Sequence, residues 1–218
     1  MIIGIDQSLT GTGIASIDDD GTLLMTQTVE TSKMRGVERL AQICQVVEEM
    51  CDNVGEKYVV AREGYSFGSK GRATFSLGEL GGCLDLTLYQ IENPNLKSYY
   101  IIPPTTIKKL CLGSGAIKKD SAYLLKIFTT LGIEFANDNE ADAYMIAVSL
   151  WKYLRSSKAN SIKGYYETLK VYEKEAILSS LISKSGSGVT KASLKNLTEE
   201  DYATAAKSVL DGYLCFAR

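Results

Sequence analysis

The sequence predicts an α/β fold, a five-stranded mixed sheet flanked by helices and continued by a helical C-terminal extension. Three observations predict it. Short apolar runs bounded by turn residues alternate with stretches whose apolar residues recur at helical spacing. The first three runs lie too close together for a helix to fit between them. After about residue 156 the composition shifts and only helical periodicity remains, which separates a first domain, 1–156, from an extension, 157–218.

The elements follow in order. Met1 to Asp6 is a short apolar run ending in a carboxylate, the pattern of a buried strand. Gly11 and Gly13 mark a turn, Ile14 to Ile17 a second strand, Asp18-Asp19-Asp20-Gly21 a hairpin turn, and Thr22 to Val29 a third strand. Val37, Leu40, Ile43, Val46, Val47 and Met50 give a first helix one apolar face. Lys57 to Arg62 returns to strand, with Glu63 at its end. Gly64 to Arg72 reads as a polar loop and Thr74 to Ile91 as a long helix of small and apolar residues. Tyr99 to Ile102 is a fifth strand, closed by Pro103-Pro104. Thr105 to Leu112 is a short helix, and helices over about Lys118–Leu131 and Asn139–Arg155 follow. In the extension, Leu169, Tyr172, Ala176, Leu178 and Leu181 are helically spaced, and Thr198 with the acids after it caps a last helix reaching Phe216.

Composition excludes several chemistries. The sequence holds no histidine, so a Ser-His-Asp triad, a Cys-His pair and an HExxH zinc site are all ruled out. Cys44, Cys51, Cys83, Cys111 and Cys215 are odd in number and form no CxxC pair, which fits reduced thiols better than a disulfide framework or a zinc site. No apolar run reaches the roughly 18 residues that span a bilayer. The first residues carry no basic segment of a signal peptide, so the expected location is the cytoplasm. Residues 1–100 hold 8 Lys and Arg against 14 Asp and Glu, and residues 101–218 hold 16 against 12, so the second half is basic. That asymmetry suits an enzyme that grips phosphates and binds cations, and it equally suits scattered solvated lysines.

With histidine absent, hydrolytic chemistry would fall to carboxylates acting through hard cations such as Mg²⁺. Asp6 ends the first strand and Glu63 the fourth, and ligand sites in open α/β sheets gather at the carboxyl ends of strands. In a sheet that starts with a meander, those two strands can be neighbours. Asp138 and Asp142 are one helical turn apart and project from one face of a helix start. Singly, each reads as a structural cap or surface acid. Together, an Asp-strand, a Glu-strand and an Asp-helix would repel unless cations filled the space. Two divalent ions roughly 3.5–4 Å apart would satisfy all four and clamp an in-line phosphoryl displacement.

At these residues the chain resembles the RuvC-type Holliday junction resolvases of the ribonuclease H-like superfamily. IIGIDQSLTGTGIAS is similar to the family's first-strand motif, with Asp6 as metal ligand. VVAREGYSFGSKG is similar to the fourth-strand motif and maps the second carboxylate onto Glu63. TFSLGELGG resembles the helix that follows, PPTTIKKLCLGSGAIKKDSA a phosphate-contacting stretch, and DNEADAYMIA the terminal Asp-Ala helix. The resemblance covers roughly residues 1–155. It departs at one point: the family's last two ligands are three residues apart, and here Asn139 stands three before Asp142. Asp138 is therefore assigned as the ligand, with Asn139 or Glu140 as substitutes. The resemblance implies a ribonuclease H-like fold and a homodimer that nicks four-way or other branched DNA symmetrically. It also implies catalytic and metal-binding roles for Asp6, Glu63, Asp138 and Asp142, with two Mg²⁺ ions (or Mn²⁺) per site.

Lys108, Lys109, Lys118 and Lys119 flank a Gly-Ser-Gly loop, and Lys70 and Arg72 lie in the loop after Glu63. All six are expected to contact phosphates. As bare residues the four around the Gly-Ser-Gly loop read equally well as a solvated helix face. Phe67 is the expected base-stacking residue, whereas Tyr65 fits an anchor of its loop. Gly78, Gly81 and Gly82 suit a dimer contact or tight packing on the sheet. The competing readings are an actin-like or sugar-kinase ATPase, which needs a second phosphate loop and a second domain not found here, and a branch-binding protein that does not cut. A ribonuclease H acting on hybrids is a third. No nucleotide cofactor and no membrane partner are expected.

Overall fold

A computed structural model describes residues 1–65, 72–158, 165–184 and 198–218, with side chains for all of these except 72, 73, 166 and 179–184. The chain opens with β1 (Ile2–Asp6), β2 (Gly11–Ile17) and β3 (Leu23–Glu30), an antiparallel meander in which Asp6 stands opposite Gly13. The Asp18 carboxylate accepts from the Asp20 and Thr22 amides, so a short acceptor side chain closes the β2–β3 turn. α1 (Gly36–Asp52) leads to β4 (Tyr58–Glu63), and α2 (Arg72–Gln90) leads to β5 (Leu96–Ile102). β4 runs parallel to β1, and β5 parallel to β4. α3 (Pro104–Leu112), α4 (Tyr123–Leu131), α5 (Asp138–Ser156), α6 (Tyr165–Thr168), α7 (Val171–Lys184), α8 (Glu199–Tyr213) and β6 (Leu214–Ala217) complete the order. The sheet reads β3-β2-β1-β4-β5-β6.

Alternation along the strands builds two cores. Ile3, Ile5, Ile14, Val60 and Tyr99 turn to one face and pack under α1 and α2, through Ile43, Val47, Leu80, Leu84 and Leu88. Ile2, Ala15, Ala61 and Ile102 turn to the other, under α5 and the helices α3, α4, α7 and α8 around it. Residues of the extension, among them Leu169, Ile177, Leu178, Ala206 and Leu210, lie in that second core.

Two glycines set the height of α5 above the sheet. A Cβ at Gly4 would overlap the Ala143 carbonyl and come within 2.7 Å of the Ala147 nitrogen. A Cβ at Gly13 would overlap the Asn139 carbonyl. Without those carbons, the backbone of α5 rests directly on β1 and β2. Asn137 caps the helix by accepting from the Glu140 amide at 3.0 Å, and its Nδ2 also donates to Thr28 Oγ1 at 3.0 Å. Glu140 accepts from Thr26 and Thr28. The start of α5 is thus pinned to β3 and pressed onto β1, which fixes where Asp138 and Asp142 emerge.

The structure differs from the sequence reading in several places, and Gly11 and Gly13, expected to mark a turn, lie within β2 opposite Glu30 and Thr28. The sheet has six strands rather than five. The last helix stops at Tyr213, and Leu214–Ala217 pairs antiparallel with β5 as β6. Phe216 there packs against Tyr99, with ring centroids 5.6 Å apart, a contact that a continued helix would forgo. The helix expected from about Lys118 begins only at Tyr123, because Asp120 folds the chain first: its carboxylate accepts from the Ala122 amide and its carbonyl from the Tyr123 amide. Finally, the periodic stretch from Leu169 to Leu181 forms a helix only from Val171, as α7, and the short α6 stands just ahead of it. Thr198 caps α8 as expected, through a reciprocal capping box with Asp201.

Candidate active site

Asp6 and Glu63 end neighbouring parallel strands. Their register pairs Ile5 with Arg62, so the two acids stand side by side at the carboxyl edge of the sheet. Both face α5, and Asp142 comes down from the second turn of that helix to meet them. Asp6 and Asp142 are only 5% and 6% exposed. Asp138, one turn earlier, is more open. Asn139 instead rests its backbone on Gly13, and its side chain lies over Gly11. Glu140 is turned toward β3. Of the three residues considered for the fourth position, Asp138 is the one that shares a cation with Asp142.

That cation is Lys119. Its ammonium group is in direct contact with Asp142 and lies 3.6 Å from Asp138. The late start of α4 leaves Lys119 in the loop, free to reach over the acids. Among the described residues no three acid or thiol side chains stand ready-made as a coordination shell, and the Lys119 ammonium sits between two of the acids.

The electrostatics match the crowding. Burial pushes the Asp6 carboxyl well above the usual carboxylate range. Asp142 and Glu63 push it further, while Lys119 opposes them. Burial, then Asp142, raises Glu63 to about 7, against the pull of Lys119 and Lys108. Burial would lower the Lys119 pKa, but Asp142, Asp6 and Asp138 outweigh it and raise it. Asp6 and Glu63 are therefore harder to ionise because other acids stand near them, the condition a divalent cation relieves.

Several partners escaped the sequence reading. Tyr123 is buried and donates to Asp142 Oδ1 at 2.5 Å, fixing that carboxylate from the α4 side. Arg62, 1% exposed, lies under the sheet on the α2 side. Its Nε and one terminal nitrogen donate to the two Asp85 oxygens, each at 2.9 Å, and its other terminal nitrogen donates to the Glu63 carbonyl at 2.9 Å. Tyr99 adds a 2.6 Å bond to Asp85, and the guanidinium stacks 5.3 Å from the Tyr65 ring. Arg62 thereby ties the end of β4 to α2 and holds Tyr65 at the mouth of the next loop. A charge inside the apolar run VVAREG was the signal available for it. Gln7, next to Asp6, is buried with its Oε1 unpartnered among the described residues.

The expected DNA-binding residues fall into three groups. Lys108 lies beside Glu63, donates to the Ile117 carbonyl at 3.1 Å and sits 5.9 Å from the Tyr123 ring. Lys109 is half-buried in the last turn of α3. Lys118 is exposed and shares with Lys126 a groove of about 440 Å³, one wall of which is the Tyr123 that bonds Asp142. Phe67 and Lys70 lie outside the described residues, as does the side chain of Arg72 at the start of α2. Gly81 admits Tyr65 against α2, whereas Gly78 and Gly82 face open space.

This strand order, with acids at the ends of β1 and β4 and a helix crossing them, defines a ribonuclease H-like protein. The chain belongs to the family of crossover junction endodeoxyribonuclease RuvC, whose model matches residues 2–150, and whose members are metal-dependent nucleases. The Thermus thermophilus RuvC structure is 24% identical, covers 71% of this chain and 95% of its own, and superposes with a TM-score of 0.55. Another, T. thermophilus RuvC in complex with Holliday junction substrate, is 23% identical, covers 71% and 94%, and has a TM-score of 0.56. No curated protein matches the chain. Membership in this family displaces the ATPase reading. No helix among the described residues is long and apolar enough to cross a membrane.

Proposed function

We propose that this chain resolves four-way DNA junctions by phosphodiester hydrolysis, with Asp6, Glu63, Asp138 and Asp142 holding two Mg²⁺ ions, or Mn²⁺ in their place. The observation that carries the reading is the meeting of Asp6, Glu63 and Asp142 at one sheet edge, where Asp142 raises the cost of ionising both strand-end acids and Glu63 adds to that of Asp6. The donor set fits hard cations: carboxylate oxygens throughout and no histidine. An ammonium group already lies between two of the acids. Bound there, two divalent ions would activate the attacking water and neutralise the leaving 3′ oxygen.

The chain's own residues do the rest. Tyr123 holds Asp142 in place, and Arg62 holds the Glu63 main chain. Lys119, released from the acids by the arriving ions, and Lys108 beside it would bind the phosphate at the cleavage point. Lys109, Lys118, Lys70 and Arg72 would follow the flanking phosphates, and Phe67 would stack on an unpaired base. Residues 1–156 form the nuclease unit and 157–218 the extension that braces it. The chain works as a homodimer in the cytoplasm, paired through α2. There Phe75, Leu86 and Tyr89 are exposed by 78%, 56% and 66%, and a groove between α1 and α2 is lined by Val37, Leu40, Gly78 and Gly82. An exposed apolar face of this kind suits an isologous contact, in which the same patch of two copies meets across a two-fold axis.

The test is purified protein incubated with synthetic four-way junction, duplex, flap and RNA–DNA hybrid, with Mg²⁺ or with chelator. The expected result is paired nicks in the junction, with Mg²⁺ only. Preference for the hybrid, or binding without any nick, would contradict the proposal.

A further inference from the structure

At the pole of the sheet opposite the acids lies a concave site of about 380 Å³ that the nuclease reading does not use. Its floor is apolar: Ile2 and Val59 from the first residues of β1 and β4, with Trp151 and Leu154 from the last turns of α5. Its rim is basic, formed by Lys57, Lys97, Arg155 and Lys158. The fold brings these cations together. Lys57, just ahead of β4, and Lys97, near the start of β5, both come to the rim from this end of the sheet. α5 delivers the other two as it leaves the sheet.

The acids facing this corner are Asp19 and Asp20. Asp19 is occupied by the Met1 amino group at 2.9 Å, and Asp20 meets Arg155 at 3.4 Å. Lys57 and Lys97 have no carboxylate partner within ion-pair distance among the described residues, although Lys97 donates to the Pro94 carbonyl at 2.5 Å. Arg155 is stacked between Trp151 and Tyr165, at 5.1 and 5.3 Å, and its Nε is buried without a hydrogen-bond partner among the described residues. The corner therefore combines an excess of positive charge, a spare donor and an apolar floor of side-chain size.

We propose that this pocket docks an acidic peptide segment of a partner protein, seating one aliphatic or aromatic side chain on Trp151 and Leu154 while neighbouring carboxylates meet Lys57, Lys97 and Arg155. Charge complementarity favours an anionic partner. The small apolar floor favours a peptide over a nucleic-acid backbone, which needs a long track of cations and no apolar seat. The site lies away from the acids, so a docked partner would leave the cleavage edge open.

Trp151 is the sole tryptophan of the chain, so intrinsic fluorescence reports on this pocket. The probe is an acetylated peptide of about ten residues, mostly Asp with two Leu and no aromatic residue. The expected result is a saturable change in Trp151 emission, weakened by salt and at least about ten-fold by Lys57→Glu combined with Lys97→Glu, with junction cleavage unchanged. A peptide with Ser in place of Leu should bind at least about ten-fold more weakly, since the apolar seat on Trp151 and Leu154 is then left unfilled. Equal binding of the Ser peptide would overturn the proposal. So would the absence of a saturable change in the unmodified protein, or tighter competing binding by a single-stranded oligonucleotide, which would make the pocket a nucleic-acid site.

Discussion

Replacing Glu63 by Gln should stabilise the metal-free protein while removing its activity. The Glu63 carboxyl is raised by burial and by Asp142 to about 7, from an ordinary value of 4.5. The unfolded chain therefore ionises this group from about pH 4.5 upward, the folded chain only near pH 7. Below the lower value both states are protonated and Glu63 costs nothing. Between the two the folded state falls behind, and above pH 7 the penalty stays constant. Each pH unit is about 1.4 kcal/mol, so a gap of about 2.5 units gives about 3 kcal/mol at pH 8. Gln has the same shape, never ionises and escapes this penalty. In chelator at pH 8, Glu63→Gln should therefore be more stable than the parent by about 3 kcal/mol, roughly 6–12 °C in Tm for a chain of this size. At pH 4.5 the two should melt together. Urea titration followed by circular dichroism at both pH values measures this, and adding Mg²⁺ to the parent should close the gap. If the variant is no more stable than the parent at pH 8, Glu63 does not sit among repelling acids and the electrostatic basis of the site fails.

Further outcomes follow from the same geometry. Asp6→Asn should abolish nicking while leaving junction affinity in Ca²⁺ nearly unchanged, as read by gel shift; a parental cutting rate would remove Asp6 from the chemistry. Gly4→Ala should lower stability by about 3 kcal/mol or more, because the added carbon overlaps the Ala143 carbonyl and must lift α5; a melt unchanged within error would mean that α5 does not rest on β1. Arg62→Met should cost about 1–3 kcal/mol by removing the partner of half-buried Asp85, and adding Asp85→Leu should restore most of that. Denaturant midpoints decide it, and a double variant no better than the single would show that the pair is not the issue. Lys118→Ala with Lys126→Ala should weaken junction binding and reduce the slope of log affinity against log salt by up to about 2; an unchanged slope would take that groove out of the interface.

Much of the site was legible because its geometry is local. Asp6 and Glu63 each close an apolar run, so their place at strand ends follows from the period of the sequence. Asp138 and Asp142 share a helix face by spacing alone. What escaped depends on contacts between distant segments. Arg62 meets Asp85 and Tyr99 only because α2 packs on β4. Lys119 reaches the acids because Asp120 delays the start of α4, a choice between a turn and a helix that lysine-rich sequence does not resolve. β6 was hidden because four residues continuous with a helical pattern carry no alternation of their own; the free edge of β5 and the Tyr99 ring decide their conformation. That Asn139 rests its backbone on the sheet while Asp138 and Asp142 share Lys119 also needed the structure, since it turns on Gly13 lacking a side chain.

The most direct test is a crystal soaked in Mn²⁺ and measured for anomalous scattering. The expected result is strong density between Asp6 and Glu63, within coordination distance of Asp142, with the Lys119 ammonium moved off that carboxylate. Manganese bound elsewhere, with Lys119 still seated on Asp142 and the strand-end acids unliganded, would contradict it.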